Sequence, residues 1–171
     1  MTTGNSGRDF DDYVASHGAG LERYARALTG DAHAAQDLVQ TALMKAWRRW
    51  RRISRVEYPD AYVRRILTNT FIDQRRRRDT GESPIAEVPE WPGGPDPADQ
   101  AVHRDEVIRA LTTLTPTQRA VIVLRHYLGR NDEQIATELG CSVSTVRSHA
   151  SRGMECMRGY LKYPDLEQNS W

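Results

Sequence analysis

Apolar residues recur at helical spacing along most of the chain, and no stretch shows the alternation of a half-buried strand. From Phe10 the apolar positions are Phe10, Tyr13, Val14, Leu21, Tyr24, Ala25 and Leu28. His17-Gly18-Ala19-Gly20 is expected to interrupt that helix, and the small polar stretch Met1–Arg8 reads as a disordered leader. Thr29-Gly30-Asp31 closes one helix and opens the next, with Asp31 as the N-cap. The strongest helical signal runs from Ala32 to about Trp50. Ala35, Leu38, Val39, Ala42, Leu43, Ala46, Trp47 and Trp50 share one face, with Asp37, Gln40, Thr41, Met44, Lys45 and Arg48 nearer the other. Trp47 is assigned to the core. Trp50, beside a run of arginines, is open to either role.

Arg51–Tyr58 has no clean period and reads as a loop, after which Pro59 suits the first turn of a further helix. Tyr62, Val63, Ile66, Leu67, Thr70 and Phe71 form the apolar side of that helix. Arg64, Arg65, Thr68, Asn69 and Arg75–Arg78 lie elsewhere on it. Residues 79–100 hold Pro84, Pro89, Pro92, Pro95 and Pro97 with Gly93-Gly94, the composition of an extended linker. Trp91 is its one large aromatic.

A second helical segment begins near Ala101, with Val107, Ile108, Leu111 and Leu114 on one side. Thr115-Pro116-Thr117-Gln118 supplies an N-cap, a first-turn proline and a capping-box glutamine. The helix they open should bury Val121, Ile122, Leu124 and Tyr127 and end at Gly129. Then comes the most informative stretch. Asn131–Leu139 reads as a short helix with Asn131 and Gln134 as its capping box, Gly140 as a left-handed stop, and Ser142 as the cap of the next helix. Two short helices across a tight glycine turn form the helix-turn-helix pattern, whose second helix can enter a DNA major groove. Val143, Val146 and Ala150 should face Ile135 and Leu139, leaving Ser144, Thr145, Arg147, Ser148, Ser151 and Arg152 outward. Met154, Met157 and Leu161 continue the apolar stripe, and the tail 164–171 carries no signal.

The expected fold is therefore all-α: two small helical domains, 9–78 and 101–163, joined by the linker 79–100. Composition adds a division of charge. The 171 residues have a formal net charge of only +1, yet Trp47–Arg78 concentrates Arg48, Arg49, Arg51, Arg52, Arg55, Arg64, Arg65 and Arg75–Arg78. Asp79–Gln100 is acidic, with no lysine or arginine. Such blocks point to separate surfaces with separate partners. Arginines with Trp50, Tyr58, Tyr62 and Asn69 are the composition of single-strand recognition, phosphate contacts joined to base stacking. Core packing of the same aromatics is the competing account.

No nucleotide-binding, esterase or zinc-protease motif occurs, so no enzyme activity and no cofactor are expected. Cys141, His149 and Cys156 lack a fourth ligand and the usual zinc spacing. With no secretory signal and no membrane-length apolar run, a cytoplasmic protein with free thiols and no direct membrane contact is expected.

Three motifs in order, Asp37-Leu-Val-Gln-Thr-Ala-Leu-Met-Lys-Ala-Trp47, Pro59-Asp-Ala-Tyr-Val-Arg-Arg65 with Asn69 and Asp73, and Thr145-Val-Arg-Ser148, resemble the extracytoplasmic-function sigma factors of bacterial RNA polymerase. The Tyr62-Val-Arg-Arg version is similar to the actinobacterial sigma-E type. The resemblance implies that a first module binds the polymerase clamp helices through Asp37, Gln40, Thr41 and Lys45. It also implies minus-ten DNA contacts from Ile53, Tyr58, Tyr62, Arg65, Asn69, Arg75 and Arg76, with bases of the non-template strand flipped into a pocket at Asn69. A second module would dock on the flap and read the duplex minus-thirty-five element through Ser144, Thr145, Arg147, Ser148, Ser151 and Arg152. An anti-sigma protein is a further implied partner. The chain departs from the family at Arg130-Asn131-Asp132, where leucine, serine and an aromatic are more usual, and at His149 and Ser151. A free-standing regulator with a receiver domain shares the C-terminal pattern, but a receiver needs alternating strands and helices, which Phe10–Arg78 lacks. An RNA-binding protein using the arginine run is a third reading.

Overall fold

A computed structural model of the chain describes residues 3–81 and 106–161, with side chains from residue 7. The expected linker beyond Gly81, Trp91 within it, and the tail 164–171 lie outside the described residues. The chain divides into two compact units, Met1–Glu87 and Val88–Trp171. Every regular element among the described residues is helical, in agreement with the all-α expectation.

In the first unit α1 spans Thr3–Thr29, α2 Ala32–Trp47, α3 Trp50–Ile53 and α4 Pro59–Asp79. The α1–α2 junction forms as its residues dictate. Gly30 takes φ +77°, and the Asp31 carboxylate accepts from the Ala34 N–H at 2.7 Å. α1 itself corrects two expectations. It starts at Thr3, ahead of the supposed boundary at Arg8, and it runs unbroken through His17–Gly20. Two helix glycines cost about 1 kcal/mol each, but Tyr13, Leu21, Tyr24, Ala25 and Leu28 are all buried in one stripe. Burial of side chains this large outweighs the glycine penalty.

The structure reverses the assignment of Trp47 and places Trp50, open in the sequence, in the core. Trp47 is 49% exposed, whereas Trp50 is 4% exposed. α2 ends at Trp47, so the 3.6-residue period that aligned both rings does not reach Trp50. The turn into α3 points Trp50 inward, where Phe10 and Tyr13 lie with centroids 5.0 Å away. The segment read as a loop thus begins with a helical turn, and its Ile53 is fully buried.

Apolar area alone does not hold α4. Tyr13 Oη donates to Asp60 Oδ1 at 3.3 Å, and Arg64 Nη1 donates to Asp60 Oδ2 at 2.6 Å. Thr68 donates to the Arg64 carbonyl and is left to accept from Tyr24 Oη at 2.8 Å. Arg64 and Thr68, which the sequence placed off the apolar side, are nonetheless buried. Each has the partners that make burial of a polar group affordable.

In the second unit α5 covers residues 106–112, α6 Pro116–Ile122, α7 Asp132–Leu139 and α8 Val143–Leu161. Thr115 and Asn131 both form complete capping boxes, with Gln118 and Gln134. α6 continues as a π-helical segment, Val123–Tyr127, before Gly129 at φ +61° ends it. The widened turn leaves Tyr127 exposed rather than buried as expected, and it brings Arg125 to Asp132 in an ion pair. Gly153 lets α8 approach α6 closely, since a Cβ there would lie 3.1 Å from Ile122 Cγ1.

Two measurements check this packing. Trp50→Ala should destabilise the first unit by about 3–5 kcal/mol, and Trp47→Ala by only about 1 kcal/mol, in urea unfolding followed by circular dichroism; equal losses would contradict the core role of Trp50 alone. Burial opposes the charge on Asp132, but hydrogen bonds from Arg125 and Arg147 outweigh it and hold the carboxyl below its ordinary value. A lowered carboxyl contributes stability above about pH 4 that is lost as pH falls through the folded value. Asp132→Asn should be less stable than wild type at neutral pH, with the gap closing on acidification. Unfolding midpoints across that range read it directly.

Candidate nucleic-acid interfaces

The helix-turn-helix is built by local chemistry. Gln134 N–H donates to Asn131 Oδ1 at 2.8 Å, and the Asn131 N–H donates back to Gln134 Oε1 at 3.1 Å. Gly140 sits at φ +66°, ψ +39°, the left-handed conformation that stops α7. Ser142 Oγ then accepts from the Thr145 N–H at 3.1 Å, starting α8. Val146 and Ala150 of α8 and Ile135 of α7 are buried, while Leu139 and Val143 are only partly covered.

That packing leaves Ser144, Arg147, Ser148, Ser151 and Arg152 exposed on α8, with Thr145 half-buried. The expected residues thus share one outward surface. The Ser144 and Thr145 hydroxyls are tied to Ser142 Oγ, at 2.9 and 2.8 Å, so they also serve the helix start. Arg147 Nε donates to Asp132 Oδ2 at 3.1 Å, a contact across fifteen positions of sequence that no local pattern signals. His149 is shifted below its ordinary value by burial and then by Arg152, so near pH 7 it offers a neutral ring and no phosphate-binding charge. Cys141 is pushed up by burial and stays a thiol. Among the described residues no group of three or more His, Cys, Asp or Glu side chains could hold a metal ion.

The first unit offers a different surface. Lys45, Arg48, Arg49, Ile66, Asn69, Thr70 and Asp73 line a cleft of about 400 Å³ between α2 and α4. Lys45 reaches across it to donate to Thr70 Oγ1 at 3.0 Å. The cleft combines cationic groups, an amide that can both donate and accept, and an apolar wall. It can hold a planar polar group next to an anion. The sequence singled out Asn69 but not its neighbours Arg48 and Arg49, which come from the turn between α2 and α3.

The other expected minus-ten residues differ in how far they are exposed. Tyr58 is 68% exposed, and Arg65 and Arg76 are exposed as well. Tyr62 is half-buried. Arg75 is partly committed to the fold, lying over the Phe71 ring with Nη2 3.4 Å from the Thr29 carbonyl. Ile53 is closed inside the core, so its side chain supports the turn 54–57 from below.

On α2, Asp37 and Gln40 are exposed and Thr41 is half-buried, with its hydroxyl donating to the Asp37 carbonyl at 2.8 Å. Met44 and Trp47, 56% and 49% exposed, extend this strip and give it apolar area for a protein partner. Lys45, one turn beyond Thr41, reaches from this strip to the cleft. Among the described residues no helix is long and apolar enough to cross a membrane.

Comparison with known proteins agrees with this division. Residues 13–80 match Sigma-70 region 2, and residues 104–157 match Sigma-70, region 4. The chain is 38% identical over 159 residues to the RNA polymerase sigma-E factor of Streptomyces coelicolor, covering 93% of this chain and 89% of that one. It is 36% identical over 147 residues to the ECF RNA polymerase sigma factor SigL of Mycobacterium tuberculosis, covering 83% and 82%. The sigma factor RpoE of Bartonella quintana, solved in complex with the anti-sigma factor NepR, matches with a TM-score of 0.72 at 28% identity, covering 92% of this chain and 99% of that one. The chain belongs to the sigma-70 family, among the extracytoplasmic-function sigma factors that bind core RNA polymerase and direct promoter-specific transcription initiation.

Proposed function

We propose a division of labour in which residues 9–78 bind polymerase and melted minus-ten DNA, while residues 101–163 anchor the duplex minus-thirty-five element. The observation that carries this reading is the contrast between two surfaces. One is a cleft of Lys45, Arg48, Arg49 and Asn69, suited to an unstacked base with its phosphate. The other is the outward side of α8, whose hydroxyls and arginines suit a major groove.

On the first unit, Asp37, Gln40 and Thr41 meet the clamp helices, and Met44 and Trp47 enlarge that contact. Lys45 belongs to both the polymerase strip and the cleft edge. Asn69 reads a flipped base, Tyr58 and Tyr62 offer rings, and Arg65 and Arg76 neutralise phosphates. Arg75 and Ile53 shape the surface more than they touch it. On the second unit, Arg147 and Ser148 read base edges, Ser151 and Arg152 hold the backbone, and Ser144 and Thr145 set the start of α8. Residues 79–100 link the two, and their acidity suits the basic channel that carries RNA out of polymerase. The setting is the cytoplasm, where polymerase and chromosome meet. A protein partner of the anti-sigma kind is extended to this chain from the Bartonella complex. Bond-making chemistry stays with polymerase.

Run-off transcription with core polymerase and the full chain tests the whole reading. Promoter-specific products are expected, and their absence on every genomic template would refute it. Arg147→Ala should weaken recognition of the upstream duplex by about 1–3 kcal/mol while sparing melting. Asn69→Ala should do the reverse, read by a fluorescent base analogue in the minus-ten segment. Equal effects of both variants on both assays would remove the division of labour. Arg152→Ala should weaken holoenzyme binding on all upstream sequences alike and lower the salt slope by about one.

A further inference from the structure

The contact between Arg147 and Asp132 is placed so as to prepare the arginine for reading. Arg147 donates from Nε to Asp132 Oδ2 at 3.1 Å, with its side chain 67% exposed and that of Asp132 only 20% exposed. The outer end of the guanidinium, with two amino groups, has no other partner among the described residues. Those two amino groups are the pair that matches guanine O6 and N7 in the major groove. Asp132 is itself fixed. It is the first residue of α7, directly after the capping residue Asn131, and its Oδ1 is engaged by Arg125 Nη2 from the π-helical segment.

Arg125 also answers an electrostatic objection. A lone carboxylate beside a DNA-reading helix would repel phosphate. Flanked by two guanidinium groups, it belongs to a cluster with net positive charge. An exposed arginine otherwise samples many rotamers and loses that freedom on binding. A carboxylate that accepts at Nε removes part of this loss beforehand and fixes the plane of the fork.

We propose that Asp132 is a positioning residue for Arg147, holding its guanidinium by Nε so that the terminal amino groups face a guanine of the duplex promoter element. This rests on the reading of α8 as the duplex-contacting helix. Asp132 touches no base, so it acts on specificity only through Arg147.

The test uses holoenzyme assembled from core polymerase and the full chain, on a promoter library randomised across the upstream duplex element, with transcripts counted for each sequence. Arg147→Ala should abolish the preference for guanine at one base pair. Asp132→Asn should lower the preference at that same base pair roughly three- to tenfold, part of the discrimination that such a pair provides, and leave the other positions as in wild type. The double variant should be no worse than Arg147→Ala alone. Asp132→Ser, which retains a hydrogen-bonding group at the helix start, should repeat the effect if the asparagine variant fails to fold. An even loss at every position would make Asp132 merely structural and overturn the proposal. Full retention of the guanine preference in both Asp132 variants, with its loss in Arg147→Ala, would overturn the proposal and leave the reading of α8 standing. No change in Arg147→Ala at any base pair would overturn both.

Discussion

The turn at Gly140 is the constraint on which the second unit depends. Its left-handed backbone at φ +66° stops α7 and lets α8 start two residues later from Ser142. An L-residue there pays about 1–2 kcal/mol in steric strain. Without that reversal, Ile135 and Val146 would not share a core, and nothing would decide which face of α8 looks outward. The orientation of Arg147 is thus a consequence of a backbone angle at a residue that touches no ligand.

The first unit solves a different problem. A helix as rich in arginine as α4 must keep its charged side in solvent while Val63, Leu67, Phe71 and Ile72 are buried on the other. Its inner side uses polar links with satisfied partners: Tyr13 and Arg64 on the Asp60 carboxylate, and Tyr24 on the Thr68 hydroxyl. These leave Arg65, Arg76 and Arg77 in solvent while the axis of the helix stays fixed. Burial and the nearby Asp60 charge raise the Tyr13 phenol well above its ordinary value, so it remains a neutral donor. A charged outer face and a hydrogen-bonded inner face are thus compatible on one helix.

Much of this was legible in the sequence because it is governed by local chemistry. The caps at Asp31, Thr115 and Asn131 and the stop at Gly140 each depend on residues within three or four positions, and all four form as read. Failures came where distant residues decide. Trp47 and Trp50 fall three apart on an ideal helix, but α2 ends between them; both rings meet Phe10, and only the second also packs on Tyr13 and is buried. Gly18 and Gly20 looked like a break because their cost is local and the burial that offsets it is not. The π-helical segment left no recognisable pattern, although it places Arg125. Asp132 and Arg147 likewise carry no mutual signal at a separation of fifteen. In the cleft, Asn69 was visible through a motif, whereas Arg48 and Arg49 reach it only through the packing of α2 on α4.

Gly153 has an evolutionary consequence. A Cβ there would lie 3.1 Å from Ile122 Cγ1, so even alanine asks Ile122 to give by a few tenths of an ångström, and the inward seam of α8 is constrained at this position. The outward positions 144, 147, 148, 151 and 152 contribute little to that seam. Mutation can therefore rewrite what the helix recognises while its mount stays the same, and a promoter preference can drift without the second unit passing through an unfolded intermediate sequence.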